Sequence, residues 1–209
     1  MIIHKVAHFA VAAALMTVVG LSFPATAESK GQSADPIIFI QKLADQAINV
    51  LSTQNGSLKE REDQFRDLLR DDFAMDKIGR FVAGGFWRKM SEEQRTDYQK
   101  LFSEWILKTY SARLGGYSGE QFKVIKKSTA GKRDVIVHTQ IQQTAGNAFK
   151  ANWRVRKLGE RYKIIDIYVE GVSMAVTQRS EFDAILRKHG IDGLIGQLRD
   201  RLSKLSTAS

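Results

Sequence analysis

The chain contains no cysteine. That absence excludes disulfides, thiolate nucleophiles and sulfur-based metal sites, so stability and chemistry must come from packing, hydrogen bonds and the remaining side chains. Proline occurs only at Pro24 and Pro36, so no proline-rich linker divides the chain, and one domain with a substantial core is expected. Histidine is scarce as well. His4 and His8 lie near the N-terminus, and His138 and His189 fall in separate segments, with neither metal-site spacing nor a paired base for proton transfer. Phosphate-cradling loops are missing: Gly131-Lys132-Arg133 has neither the upstream glycine nor the following Ser or Thr of a P-loop, and there is no G-x-S-x-G elbow. Neither a cofactor nor a bound metal is expected.

Long apolar runs are confined to one place. Phe9 to Leu21 follows the positive Lys5 and precedes the small-x-small triplet Ala25-Thr26-Ala27. This order reads as a signal peptide cut after Ala27, because the run is too short for a membrane span of about 20 residues. The expected layout is therefore a cleaved leader over 1–27, a polar lead-in over 28–35, one domain over 36–205 and a short tail over 206–209. Export follows for the mature chain.

Acidic residues are outnumbered, 23 against 32 basic ones, which gives a net charge of +9. Such a balance favours anionic partners. Export makes nucleic acid the least favoured of them. The basic alternation Lys150, Asn152, Arg154, Arg156 also carries no aromatic on which bases could stack. No nucleic-acid partner is expected, and a solvated face or an anionic docking surface is the alternative.

What is present reads as helices, then strands, then helices. Asp35-Pro36 opens a helix with a capping acid and a first-turn proline, followed by Ile40, Leu43, Ala47, Val50 and Leu51 at helical spacing. Asn55-Gly56 breaks it, and a second helix carries Phe65, Leu68 and Leu69. One or two short helices are expected over Phe73 to Phe86. Ser91-Glu92-Glu93-Gln94 has capping-box spacing and opens a long helix to about Leu114. The period then changes to two over Gln121–Lys127, Asp134–Gln143, Phe149–Arg156 and Arg161–Glu170, with short glycine-containing connections. These are expected to form an antiparallel meander of about four strands. Two tail helices flank Gly190. The class is α+β, a helical layer on a curved meander.

Plain alternation places Tyr162, Ile164 and Tyr168 on one face of the last strand and Ile165, Ile167 and Val169 on the other, so both faces are expected to be apolar. An antiparallel sheet normally wets one face, so this pattern implies cover on both sides or a cavity. Asp166 falls among the tyrosines. A carboxylate in such a setting allows an isomerase-like enzyme with Asp166 as base, or a satisfied structural aspartate.

The stretch Trp153-Arg154-Val155-Arg156, then Tyr162 through Met174, then Arg179-Ser180-Glu181-Phe182 resembles the MlaC family of periplasmic phospholipid carriers, also called the toluene-tolerance family. Gly85-Phe86-Trp87, Ser91 to Arg95, Phe102 and Thr109-Tyr110 stand in that family's order, and the likeness runs from about Pro36 to Leu205. It implies an NTF2-like cone with an apolar cavity, a two-chain phospholipid as ligand and no catalytic residue. It further implies a monomer that shuttles lipid between an outer-membrane lipoprotein complex and an inner-membrane ABC transporter. A hopanoid or other triterpenoid cargo is a variant of the same reading, and a cargo-free exported adaptor is its non-binding rival.

The physics of such a carrier is simple. Exposing a methylene to water costs about 0.8 kcal/mol, so two acyl chains of roughly 30 methylenes cost on the order of 20 kcal/mol to bare. A carrier need only match the bilayer's apolarity, and handover needs no chemistry on the lipid. Candidate lining residues are Phe81, Trp87, Phe102, Trp105, Ile106 and Tyr110 from the helical half. The sheet half and the segment after it supply Val137, Ile141, Trp153, Tyr168, Val172 and Met174. Arg113 and Arg179 are candidates for a headgroup phosphate.

Overall fold

The computed structural model describes residues 35–52, 57–113, 119–144 and 146–207. The expected leader and most of the lead-in, the Asn55-Gly56 break, Leu114 and the last two residues of the expected tail lie outside them.

Helix α1 (Pro36–Ser52) starts where the acid and proline predict. Asp35 Oδ1 accepts the Ile37 amide at 2.7 Å, and its other oxygen accepts Lys127 Nζ at 2.6 Å. The Lys127 bond first, and the Ile37 amide second, hold the Asp35 carboxyl below its ordinary range. One side chain thus caps the helix and fastens it to the sheet. Helix α2 (Leu58–Asp72) opens on a reciprocal capping box between Ser57 and Glu60. Helix α3 (Met75–Ala83) passes into a 3-10 turn over Gly84–Lys89. Helix α4 (Glu92–Arg113) begins at the predicted box: Gln94 N donates to Ser91 Oγ at 3.1 Å, and Ser91 N to Gln94 Oε1 at 3.0 Å.

Five strands follow: β1 (Gln121–Ala130), β2 (Asp134–Gln142), β3 (Phe149–Leu158), β4 (Arg161–Val169) and β5 (Val172–Ser173). They pair antiparallel in chain order, a meander. The fifth strand exceeds the four expected. It forms because Glu170 and Gly171 both take positive φ (49° and 84°), the two-residue hairpin geometry that turns the chain straight back onto β4. Helix α5 (Met174–Thr207) closes the fold and breaks at Gly190 (φ 71°, ψ −173°), where two tail helices were expected. The architecture is α+β, with a curved antiparallel sheet. Among the described residues no helix is long and apolar enough to cross a membrane.

Two bulges decide which side chains share a face. Register slips by one residue at Ile125 of β1, between Val124↔Thr139 and Lys126↔His138. It slips again at Ile165 of β4, between Val155↔Ile164 and Arg154↔Asp166. A one-residue slip exchanges faces. The expectation that β4 is apolar on both faces is therefore overturned. Tyr162, Ile164 and Ile167 share the helix-covered face with Val155 and Trp153, while Tyr168 and Asp166 turn to the other side with Asn152 and Arg154.

The core divides into three clusters. Val137, Val155 and Ile164, all fully buried, meet Ile40 and Leu43 of α1 on the inner face of the sheet. Tyr98, Phe102, Phe182, Leu186, Leu194 and Leu198 form a helical cluster from α4 and α5, joined by Val82 of α3. Phe65, Leu69, Met75 and Leu107 join α2, α3 and α4. Helix α4 contributes to two of these clusters, which explains why its apolar residues spread beyond one stripe. Its approach to α3 is close: a Cβ on Gly79 would lie 2.6 Å from Gln99 Oε1 and 2.9 Å from the Phe102 ring.

Candidate functional site

The inner face of the sheet is covered unevenly. Across it, register aligns Phe122, Ile141 and Phe149 in one row, Val124, Thr139, Ala151, Val169 and Val172 in the next, and Val137, Trp153 and Ile167 in a third. Helix α1 and Phe73 seal the end that holds Val137, Val155 and Ile164. Towards the opposite end Phe122, Ile141, Phe149, Trp153 and Val169 are only half-buried, and Val172 is 54 % exposed. Phe122 and Trp153 meet edge to face at 6.3 Å. Trp153 Nε1 donates to Thr139 Oγ1 at 3.1 Å, and that hydroxyl donates to the Ala151 carbonyl. The polar atoms of this end are thus satisfied within the sheet, and what it offers outward is hydrocarbon and ring.

Of the sequence-predicted lining residues, Ile141, Trp153 and Val172 fall on this end, and Val137 lies beneath α1. Phe122, Phe149 and Val169 belong to the same surface but were not singled out. Their signal was cross-strand register, which single-strand alternation does not supply. Tyr168 sits on the opposite face, diagonal to Arg154. Met174 is half-buried at the start of α5.

The helical candidates separate into two groups. Phe102 is fully enclosed between Tyr98 (5.7 Å, stacked) and Phe182 (6.1 Å, edge to face). Trp105 packs on Phe182 at 5.7 Å under the Arg201 guanidinium, and Trp87 packs on Tyr98 under Arg95. These three belong to the α4–α5 packing. Burial of Tyr98, whose hydroxyl donates to the Gly79 carbonyl at 2.9 Å, raises its phenol far above the ordinary range. Ile106 instead borders both helical clusters, and Tyr110, one turn further on, is 38 % exposed. Phe81 is 42 % exposed, with the Arg179 guanidinium 5.0 Å from its ring centroid. A Cβ on Gly84 would lie 3.2 Å from Arg179 Nε, so the glycine makes room for that stacking. The side chain of Arg113 lies outside the described residues.

An open hollow of about 440 Å³ lies on α4 and the 3-10 turn, lined by Trp87, Arg95, Thr96, Gln99, Lys100 and Ser103. It has a single aromatic among polar side chains and faces water, so it lacks the dry surroundings an acyl chain needs.

Asp166 is fully engaged. Its carboxylate accepts Ser173 Oγ at 2.6 Å, Ala175 N at 3.0 Å and Ile167 N at 2.8 Å. Ser173 Oγ in turn accepts Val176 N at 3.0 Å and caps α5. These bonds give Asp166 a structural task, fixing the first turn of α5 against β4. Asp134, which sequence reasoning missed, is buried on the outer face. It accepts Arg154 Nε at 2.8 Å and Arg156 Nε at 2.6 Å. Burial alone would raise its carboxyl, but the hydrogen bonds from Arg156 and Arg154 hold it below the ordinary value.

Comparison with known proteins places this geometry among relatives. The model of the MlaC protein family matches residues 41–200. The intermembrane phospholipid transport system binding protein MlaC of Haemophilus influenzae is 27 % identical over 179 residues, which cover 81 % of this chain and 83 % of that protein. A phospholipid-binding protein from Ralstonia solanacearum, solved in complex with a phospholipid, superposes with a TM-score of 0.74 at 21 % identity, covering 83 % of this chain and 99 % of its own. That superposition identifies the fold.

Proposed function

The chain belongs to the MlaC family, and from that premise we propose that it is a periplasmic binding protein that carries phospholipid between membranes. The observation that carries this reading is the uneven cover of the sheet. One end of the inner face is sealed by α1, while the other leaves Phe122, Ile141, Phe149, Trp153, Val169 and Val172 partly open. Aromatic and branched side chains gathered this way, with their polar neighbours already bonded, are a poor surface for water and a good one for acyl chains. In this proposal the two chains lie along that end, with Ile106 and Tyr110 of α4 on the opposing wall and the headgroup near solvent.

The names of two relatives support the ligand: one is a phospholipid transport binding protein, the other was solved with a phospholipid. Exchange with an outer-membrane lipoprotein complex and an inner-membrane ABC transporter, by a monomer, is the finer form of the same proposal. It requires no catalytic residue, because lipid moves between surroundings of similar apolarity.

The test places a charge among the acyl chains. Ile141→Glu and Phe149→Glu, both at half-buried positions, are expected to keep the far-ultraviolet spectrum of the parent and to retain at least about tenfold less extracted phospholipid, because an ionised carboxylate is costly in hydrocarbon. Folded variants with unchanged lipid content would remove this end of the sheet as the site.

A further inference from the structure

The outer face of the sheet carries more basic than acidic side chains. Register aligns Lys126, His138, Asn152 and Tyr168 in one row and Lys123, Gln140 and Lys150 in the next. Asp134, Arg156 and Lys163 form another, with Ile136, Arg154 and Asp166 beside it. Its acids are engaged locally: Asp134 holds Arg154 and Arg156, Asp166 holds the start of α5, and Glu170, beside Lys150 at the end of β4, accepts the Lys150 amide. The two arginines are therefore fixed in place and still partly exposed, at 35 % and 24 % of their side chains. Lys123, Lys126 and Lys150 are exposed, and no ion pair joins them to an acid among the described residues.

Lysines on an edge strand blunt its tendency to pair with other chains, and that explains Lys123 and Lys126 on β1. It does not explain Lys150, Arg154 and Arg156 on interior β3, or Lys163 on β4. Protein interfaces centre on aromatic anchors, and this face has Ile136 and Asn152 at its middle, with Tyr168 at the side. An even spread of cations over four strands, about 15 Å across, matches an even spread of anions. At the β1 bulge Ile125 is 51 % exposed between Lys123 and Lys126, an apolar side chain flanked by cations as at a bilayer interface.

We propose that this outer face, with Lys123, Lys126 and Lys150 as its free cations, docks reversibly on the anionic headgroups of a bilayer. The face lies on the reverse of the sheet from the proposed acyl surface, so docking and cargo binding use different side chains, and either can fail alone. Docking of this kind holds a basic carrier near a membrane and shortens its search for a transport complex.

Sedimentation of the purified protein with vesicles tests it. Vesicles of phosphatidylcholine containing roughly one-third phosphatidylglycerol are expected to bind the protein at low ionic strength, and pure phosphatidylcholine vesicles are not. Binding is expected to vanish near 1 M salt, where screening acts within about 3 Å. The triple variant K123Q/K126Q/K150Q is expected to bind the anionic vesicles about a hundredfold more weakly, at roughly tenfold or less per lysine. K42Q/K89Q/K188Q, equal in charge and located on α1, the 3-10 turn and α5, is expected to stay within about threefold of the parent. Equal losses in the two triples would reduce the effect to net charge and overturn the proposal, as would absence of binding to the anionic vesicles or capture of the protein by acidic proteins alone. Both triples are expected to keep the parent's melting temperature and bound lipid, so lost docking is read separately from lost cargo binding.

Discussion

Asp134 illustrates how much one buried carboxylate can organise. It is enclosed, and two arginines from the neighbouring strand close on it. Removing the charge leaves both guanidiniums facing an amide, so Asp134→Asn is expected to lower the unfolding free energy by about 2 kcal/mol at neutral pH. The sign of the pH dependence follows from the carboxyl being held below its ordinary value near 3.8. Its contribution is complete above that unfolded-state value and is lost as pH falls through the lower folded value. Urea titrations of the parent and D134N should therefore converge as pH drops below about 4. A constant gap down to the most acid point would show that the loss is steric. Asp134 gave no signal in the sequence because nothing local marks it. Its partners lie 20 and 22 residues away, on a strand that must first find its register. Asp166 was visible as a carboxylate among tyrosines, but its task depends on Ser173 and Ala175, which reach it only because β5 folds back.

At the scale of elements, the helices were legible and the sheet only half so. Asp35-Pro36 and the box from Ser91 to Gln94 are local chemistry, and the helices start where that chemistry says. The break at Gly190 is local too, since only glycine takes that backbone angle at little cost. The bulges at Ile125 and Ile165 were not legible. In each case the extra isoleucine directly follows another apolar residue, Val124-Ile125 and Ile164-Ile165, and strict period two assigns the second of the pair to the opposite face where the strand in fact bulges. The short strand β5 was within reach, because Glu170-Gly171 is a two-residue turn with positive φ at both positions. The bulge yields a prediction. Ile164 is fully buried on the inner face, while Ile165 is the unpaired extra residue and half-exposed. Ile164→Ala is expected to cost about 3 kcal/mol and Ile165→Ala about 1 kcal/mol in denaturant unfolding. Equal losses would contradict the register slip.

For the whole molecule, separate cores have separate tasks. The α4–α5 cluster is filled by rings packed mostly edge to face, and Phe102, Trp105 and Trp87 belong to it. Sequence pattern could not tell these from a ligand wall, because packing and lipid binding call on the same residue types. The sheet core is filled at one end and partly open at the other, and that opening is the proposed acyl surface. The outer face presents Lys123, Lys126 and Lys150 away from both. Native mass spectrometry of the protein purified without added lipid tests the central claim most directly. The expected spectrum shows a population heavier than the bare chain by the mass of a two-chain phospholipid, released on collisional activation and matched by fatty acids in the solvent extract. A spectrum of bare protein alone, from a sample shown to be folded, would contradict it.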